Sequence, residues 1–144
     1  MLLNESDVIN VVCAYLEERG YSIRQALKPT EKGVDIIGVR KRSFTEVLHV
    51  EAKGETSSRV TSARYGLPFN SAQTRIHVAE ALYKAITVLP GRGRGIKVRS
   101  AIALPDNPLH RRYVELIMPT LRRLEIAIFW VCNKRVLVES PWEI

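Results

Sequence analysis

The sequence predicts an α/β fold: a mixed central sheet with helices on both faces. Three observations predict it. Hydrophobic periodicity changes along the chain between the helical and the strand repeat, in the order α-β-β-β-α-β-α-β-β. The strand runs "VDIIGV", "VLHV" and "IAIFWV" are almost continuously apolar, as expected of strands covered on both sides. Finally, "KRSFT" between two strand runs is short enough for a hairpin, whereas the later strands are separated by helical stretches that serve as crossovers.

Each element has its own signal. "SDVINVVCAYLEERGY" places Val8, Ile9, Val12, Tyr15 and Leu16 at helical spacing, with Asn4 or Ser6 as cap and Gly20 as terminator. "YSIRQAL" reads as a short strand and "PTEKG" as a turn. "VDIIGVR" and "EVLHVEAK" are the β-rich arms of the hairpin. Residues 54–70 form a polar loop dense in Ser, Thr and Arg. Asn70 or Ser71 then caps the helix "AQTRIHVAEALYKAITVL". "PGRGRG" is a basic, glycine-rich turn, and "KVRSAIAL" is a strand. "NPLHRRYVELIMPTLRRLE" is a helix expected to bend at Pro119. "IAIFWVC" and "RVLV" form a final hairpin around Asn133 and Lys134.

A chain of 144 residues fits one domain, 1–144, around one core. With 46% hydrophobic and 26% charged residues, its composition is that of a globular protein. No run approaches the roughly 20 apolar residues that span a bilayer, so no membrane association is expected. The start, "MLLNESDVIN", has no basic segment followed by an apolar one, as a secretory leader would. Cys13 and Cys132 both fall within apolar patterns and read as core thiols in a reducing, cytoplasmic compartment. The net charge of +7 is unevenly spread: residues 52–100 carry 9 basic groups against 2 acidic ones, while the flanking thirds nearly balance. A concentrated basic block suits a polyanionic partner, nucleic acid above all; a solvated basic face is the plain alternative.

Chemistry enters at "VLHVEAKG". A buried-looking strand ends in Glu51 and Lys53, just before Gly54. If the hairpin turns near Ser43, residues whose numbers sum to about 86 oppose each other, so Asp35 faces Glu51. Directly opposed side chains lie roughly 5 Å apart on one face, and Lys53, two residues on, shares that face. Two carboxylates at the rim of an apolar sheet are unfavourable unless a cation joins them. Mg²⁺ or Mn²⁺ suits such a pair, with the Ala52 carbonyl as a third protein ligand. The Lys53 ammonium can then hold an attacking water or neutralise a phosphate oxygen. The plain alternative is a surface ion pair, Glu51–Lys53, beside a turn aspartate.

"GVDIIGV" and "HVEAKG" together resemble the PD-(D/E)XK nuclease superfamily, the restriction-endonuclease-like fold that includes restriction enzymes and Holliday junction resolvases. The likeness spans residues 5–132. It implies an αβββαβ core, metal binding by Asp35 and Glu51, and a catalytic lysine at Lys53. Relatives often carry a glutamine at the start of the next helix, a place filled here by Gln73. They also often place a glutamate on the first helix; Ile9 or Asn10 stands there, and Glu5, one turn earlier, reads either as its substitute or as an acid favoured by the helix dipole. Val34 occupies the position that gives the family its proline. The function implied is a metal-dependent nuclease hydrolysing DNA in repair, restriction or defence and leaving 5′-phosphate ends. The alternative is an inactive nucleic-acid- or protein-binding module of the same fold.

The remaining candidates concern grip. Ser57, Ser58, Arg59 and Arg64 follow Lys53 on the polar loop, Arg75 lies on the next helix, and Arg92, Arg94 and Lys97 on the glycine-rich turn; hydroxyls and guanidinium groups are the usual phosphate contacts. Tyr65 and Phe69 read either as plugs of that loop or as base-stacking platforms. His49 reads as a packed strand histidine, and His77 and His110 as helix-surface residues. "GRGRG" lacks the Lys-Ser/Thr of a phosphate-binding loop, which excludes nucleotide binding there. A homodimer in which two sites meet two strands is open to such a chain, and the C-terminal hairpin ending in Trp142 reads either as its interface or as ordinary core.

Overall fold

The fold follows from how each segment hides its apolar stripe. In a computed structural model that describes residues 1–28, 30–63, 65–91 and 93–144, the element order is α1 (Glu5–Glu18), β1 (Ser22–Ala26), β2 (Ile36–Lys41), β3 (Thr45–Ala52), α2 (Ser71–Val88), β4 (Ile96–Pro105), α3 (Pro108–Arg123), β5 (Ile126–Cys132) and β6 (Arg135–Glu139). Asn4 opens α1 with a reciprocal cap: its side chain accepts from the Asp7 N–H, and the Asp7 carboxylate accepts from the Asn4 N–H, both at 2.9 Å. Gly20, at φ +87°, ends it.

The six strands form one sheet in chain order, β1 to β6. Strands β1–β2–β3 are antiparallel, β3–β4–β5 parallel, and β5–β6 antiparallel. The expected αβββαβ order and mixed sheet are therefore present. α1 covers one face through Val8, Ile9, Val12 and Leu16, which pack against Leu48, Val50, Ala101, Ala127 and Phe129. α2 and α3 cover the other, with Val78, Ala81, Ala85, Val114 and Leu121 against Ile102, Leu104, Ile128 and Trp130. Pro119 lies inside α3, which continues without a break to Arg123. At the turn end of the β2–β3 hairpin, Glu46 is buried with Arg40 at 3.3 Å and accepts a hydrogen bond from the Tyr21 hydroxyl.

Three side chains of the fold depart from the sequence reading. His110 is buried rather than on a helix surface, because Asn107, which caps α3, also holds the His110 N–H (2.9 Å) and ring nitrogen (3.0 Å) and turns the ring inward. Cys132 is exposed, since it sits where β5 leaves the core for the last turn. Tyr65 is exposed and plugs nothing. Trp142 is buried, as the core reading of the C-terminal hairpin has it, and its indole N–H donates to the Glu125 carbonyl at 2.9 Å. Among the described residues no helix is long and apolar enough to cross a membrane.

Candidate active site

The hairpin register does what the turn position requires. Ile36 pairs with Val50, Ile37 with His49 and Lys41 with Thr45, so every pair sums to 86 and Asp35, just outside the ladder, falls opposite Glu51. Asp35 is fixed from behind by β1: its carbonyl accepts from the Leu27 N–H (2.8 Å), and the Val34 carbonyl from the Gln25 side-chain amide (2.6 Å). Gly33 makes the turn into it at φ +128°, which a residue with a Cβ reaches only under strain. Asp35 Oδ2 then accepts the Ala52 N–H at 2.8 Å. In an extended residue the N–H and C=O leave the same side of the strand, so the Ala52 carbonyl also points toward Asp35.

Asp35 and Glu51 are both buried, at 7% and 5% exposure, and a hydrogen bond joins their carboxyl groups. Burial first, and the Asp35 charge second, push Glu51 up to about 8, against the opposing pull of Lys84 and Lys53. Glu51 therefore keeps its proton well above the ordinary carboxylate range. Glu51 Oε2 is buried and accepts no hydrogen bond; its nearest cation is the Lys84 ammonium of α2, at 3.7 Å. A buried carboxylate oxygen without a donor, next to a second carboxylate, fits a hard divalent cation.

Lys53 continues the line of β3, its N–H donating to the Ala103 carbonyl at 3.0 Å. Its ammonium is half-buried and lies 2.9 Å from Glu80 on α2, and this bond holds the Glu80 carboxyl below its ordinary range. Gly54 explains the glycine after the lysine. A Cβ there would sit 2.5 Å from the Glu5 nitrogen and 2.6 Å from the Asn4 carbonyl carbon, so the first turn of α1 rests directly on the glycine backbone. That contact brings Glu5 to the rim. Burial, and then the Asp35 charge, raise the Glu5 carboxyl. Among the described residues no three His, Cys, Asp or Glu side chains converge closely enough to hold a metal. Glu5 thus lines the cleft without joining the pair, and the groups that could hold a cation are Asp35, Glu51 and the Ala52 carbonyl.

Two open hollows meet at Glu5 and Lys53. The larger, about 550 Å³, is lined by Glu5, Lys32, Asp35, Glu51, Lys53 and Lys84 among others. The smaller, about 290 Å³, is lined by Glu5, Lys53, Ser57, Ser58, Arg59 and His77, with Phe69 edge-on to the His77 ring at 4.6 Å. His77 therefore faces the cleft rather than bulk solvent, and burial, then the Lys53 charge, lower its pKa. His49 is half-buried in β3, with Nδ1 lacking a hydrogen-bond partner and its pKa lowered by burial.

Not every candidate gathers here. Gln73 lies on the α2 stripe that runs through His77, Glu80 and Lys84, but its side-chain carbonyl accepts the Asn70 N–H (2.9 Å) in the α2 cap and lines neither hollow. Arg75 also lines neither. Arg94 and Lys97 sit near the start of β4, which pairs in parallel with the start of β3: Ile96 lies beside Thr45, whereas Glu51 lies beside Ile102. Six residues of strand put that end about 20 Å from Glu51; Lys97 there covers the Phe44 ring, 5.0 Å from its centroid. Arg64 and Arg92 lie outside the described residues. The residues missed from sequence are Glu80 and Lys84. Their signal was available, since 73, 77, 80, 84 and 87 form one face of a helix that must lie across β3.

No protein-family model matches the chain. No curated protein matches it. Among solved structures, it is similar to the crystal structure of an XisH family protein from Nostoc punctiforme, with 16% identity, a TM-score of 0.47, and 92% of this chain and 97% of that one covered. A likeness at this level carries no residue of the site with it.

Proposed function

We propose that the protein is a metal-dependent nuclease that hydrolyses phosphodiester bonds in nucleic acid, with DNA the favoured substrate. The observation that carries the reading is the buried Asp35–Glu51 pair, with an undonated carboxylate oxygen, beside the Lys53 ammonium in an open cleft. Asp35, Glu51 and the Ala52 carbonyl would hold Mg²⁺ or Mn²⁺. Such an ion, when bound, supplies a water of lowered pKa and offsets charge on the phosphate oxygens. Lys53 orients the water or neutralises a non-bridging oxygen. Ser57, Ser58 and Arg59, on the far side of Lys53, suit the next phosphate along the strand. The burial of both acids means that a scissile phosphate has to enter the cleft to be cut. Asp35→Ala, Glu51→Ala and Lys53→Ala should each abolish Mn²⁺-dependent cleavage of labelled DNA while leaving the circular dichroism spectrum intact. Cleavage at the wild-type rate by any of the three would overturn the assignment.

Two observations favour the alternative, a binding module without cleavage: among the described residues the site brings together two acidic side chains rather than three, and its lysine is engaged by Glu80. Salt-sensitive DNA binding with no cutting in either Mg²⁺ or Mn²⁺ would select it.

A further inference from the structure

Lys84 has no place in the reading above, yet among the described residues it is the cation nearest to the buried acid pair. Its ammonium stands 3.7 Å from Glu51 Oε2, the oxygen that accepts no hydrogen bond. Its side chain is 51% exposed and lines the larger hollow with Asp35, Glu51 and Lys53. A long, half-exposed lysine stem can swing at little cost, and an ammonium is a point charge without a fixed bonding geometry. Lys53 differs on both counts: its side chain is 13% exposed and is held at 2.9 Å by Glu80. Of the two lysines beside the acid pair, Lys53 is therefore held and Lys84 can swing.

We propose that Lys84 is an exchangeable counter-ion of the site. It holds Glu51 Oε2 when no metal is bound, yields that oxygen to a divalent cation, and then presents its ammonium to a phosphate in the same hollow. This rests on the nuclease reading, in which the Asp35–Glu51 pair is the metal site. Lys84 thereby acts in two opposed ways. It competes with the metal for a ligand, and it strengthens the hold on the polyanion. A residue that merely supported the fold would do neither.

The opposition makes the test specific. Mn²⁺ alone is titrated by calorimetry into the wild type, Lys84→Met and Lys84→Arg, with Glu51→Ala as the blank. Lys84→Met, a good helix former at a half-exposed position, should bind Mn²⁺ about 3–10-fold more tightly, because the ligand oxygen no longer has a resident cation. Lys84→Arg should stay within about twofold of the wild type, since the charge is kept. Binding of a labelled oligonucleotide, measured by anisotropy in Ca²⁺, should weaken in Lys84→Met. The slope of log K against log salt should fall by about one, the signature of one lost phosphate contact. Mn²⁺ affinity in Lys84→Met equal to or weaker than wild type, or an unchanged salt slope, would overturn the proposal while leaving the nuclease reading standing. A wild type that binds no Mn²⁺, or binds it as well as Glu51→Ala does, would overturn both.

Discussion

Replacing Glu51 with glutamine should make the metal-free protein more stable and useless as a metal binder, and the size of the gain follows from the site. Glu51 is 5% exposed and shares a hydrogen bond with Asp35. Its carboxyl is raised from 4.5 to about 8 by burial and by its neighbour's charge. A raised acid stabilises the fold only while protonated: below 4.5 folded and unfolded chains both carry the proton, and between 4.5 and about 8 only the folded chain does. Stability is therefore lost as pH rises through that window, at up to about 1.4 kcal/mol per unit. Glutamine keeps the shape and a donor toward Asp35 but carries no titrating proton. The variant should exceed the wild type by about 1 kcal/mol at pH 5 and on the order of 4 kcal/mol at pH 8. Urea unfolding in chelator at several pH values measures this directly, and titrating groups remote from Glu51 cancel in the difference. Mn²⁺ at a hundred times its dissociation constant should then return about 2.7 kcal/mol to the wild type and nothing to the variant. A pH-independent difference, or equal stabilisation of both proteins by Mn²⁺, would refute the assignment of the buried pair as a strained cation site.

Two further outcomes follow from the same structure. Gly54→Ala places a methyl group 2.5 Å from the Glu5 nitrogen, so the first turn of α1 must retreat; urea unfolding should show a loss of about 1–3 kcal/mol, and wild-type stability would contradict the observed contact. His110 is buried with its pKa lowered by desolvation from 6.5 to about 4, so below 6.5 the unfolded chain takes up a proton that the folded one refuses. Stability should fall as pH drops from about 6.5 toward 4, by up to about 3 kcal/mol, and His110→Gln should remove that slope from the urea-derived profile.

The near half of the site was legible because a hairpin is a local object. The short "KRSFT" connection and the apolar arms fix a register, and the register alone brings Asp35 opposite Glu51. The far half depends on where a crossover lands. The basic turn was named for its charge and its glycines, which say nothing of its distance from the site. Parallel pairing with β3 commits the beginning of β4 to the opposite end of the sheet from Lys53, a consequence that follows once the β3-α2-β4 crossover is recognised. Glu5 was hard to place by counting along α1, since its position is set by the contact between the helix start and Gly54, 49 residues away.

Glu80 and Lys84 were missed for a different reason: each looks like half of an ordinary solvent-facing i, i+4 pair on a helix. Their partners lie instead on the strand. Glu51, in β3, and Lys53, which continues its line, are separated along it by about 6.6 Å; Glu80 and Lys84, four residues apart in α2, by about 6.0 Å along the helix. The two spacings match, and the pairing observed is crosswise, Glu51 with Lys84 and Lys53 with Glu80. A crosswise match of two sequences that each run Glu then Lys requires the helix to run opposite to the strand. A helix joining two parallel strands must do so to return the chain to the start of the next one. The charge pattern on α2 is thus the complement of the Glu-x-Lys strand read backwards. It leaves each acid of the two elements facing a base, whereas Asp35, which precedes β2, faces another acid, Glu51, across the hairpin. The same topology that neutralises the rim concentrates the uncompensated negative charge at the position where a divalent cation would sit.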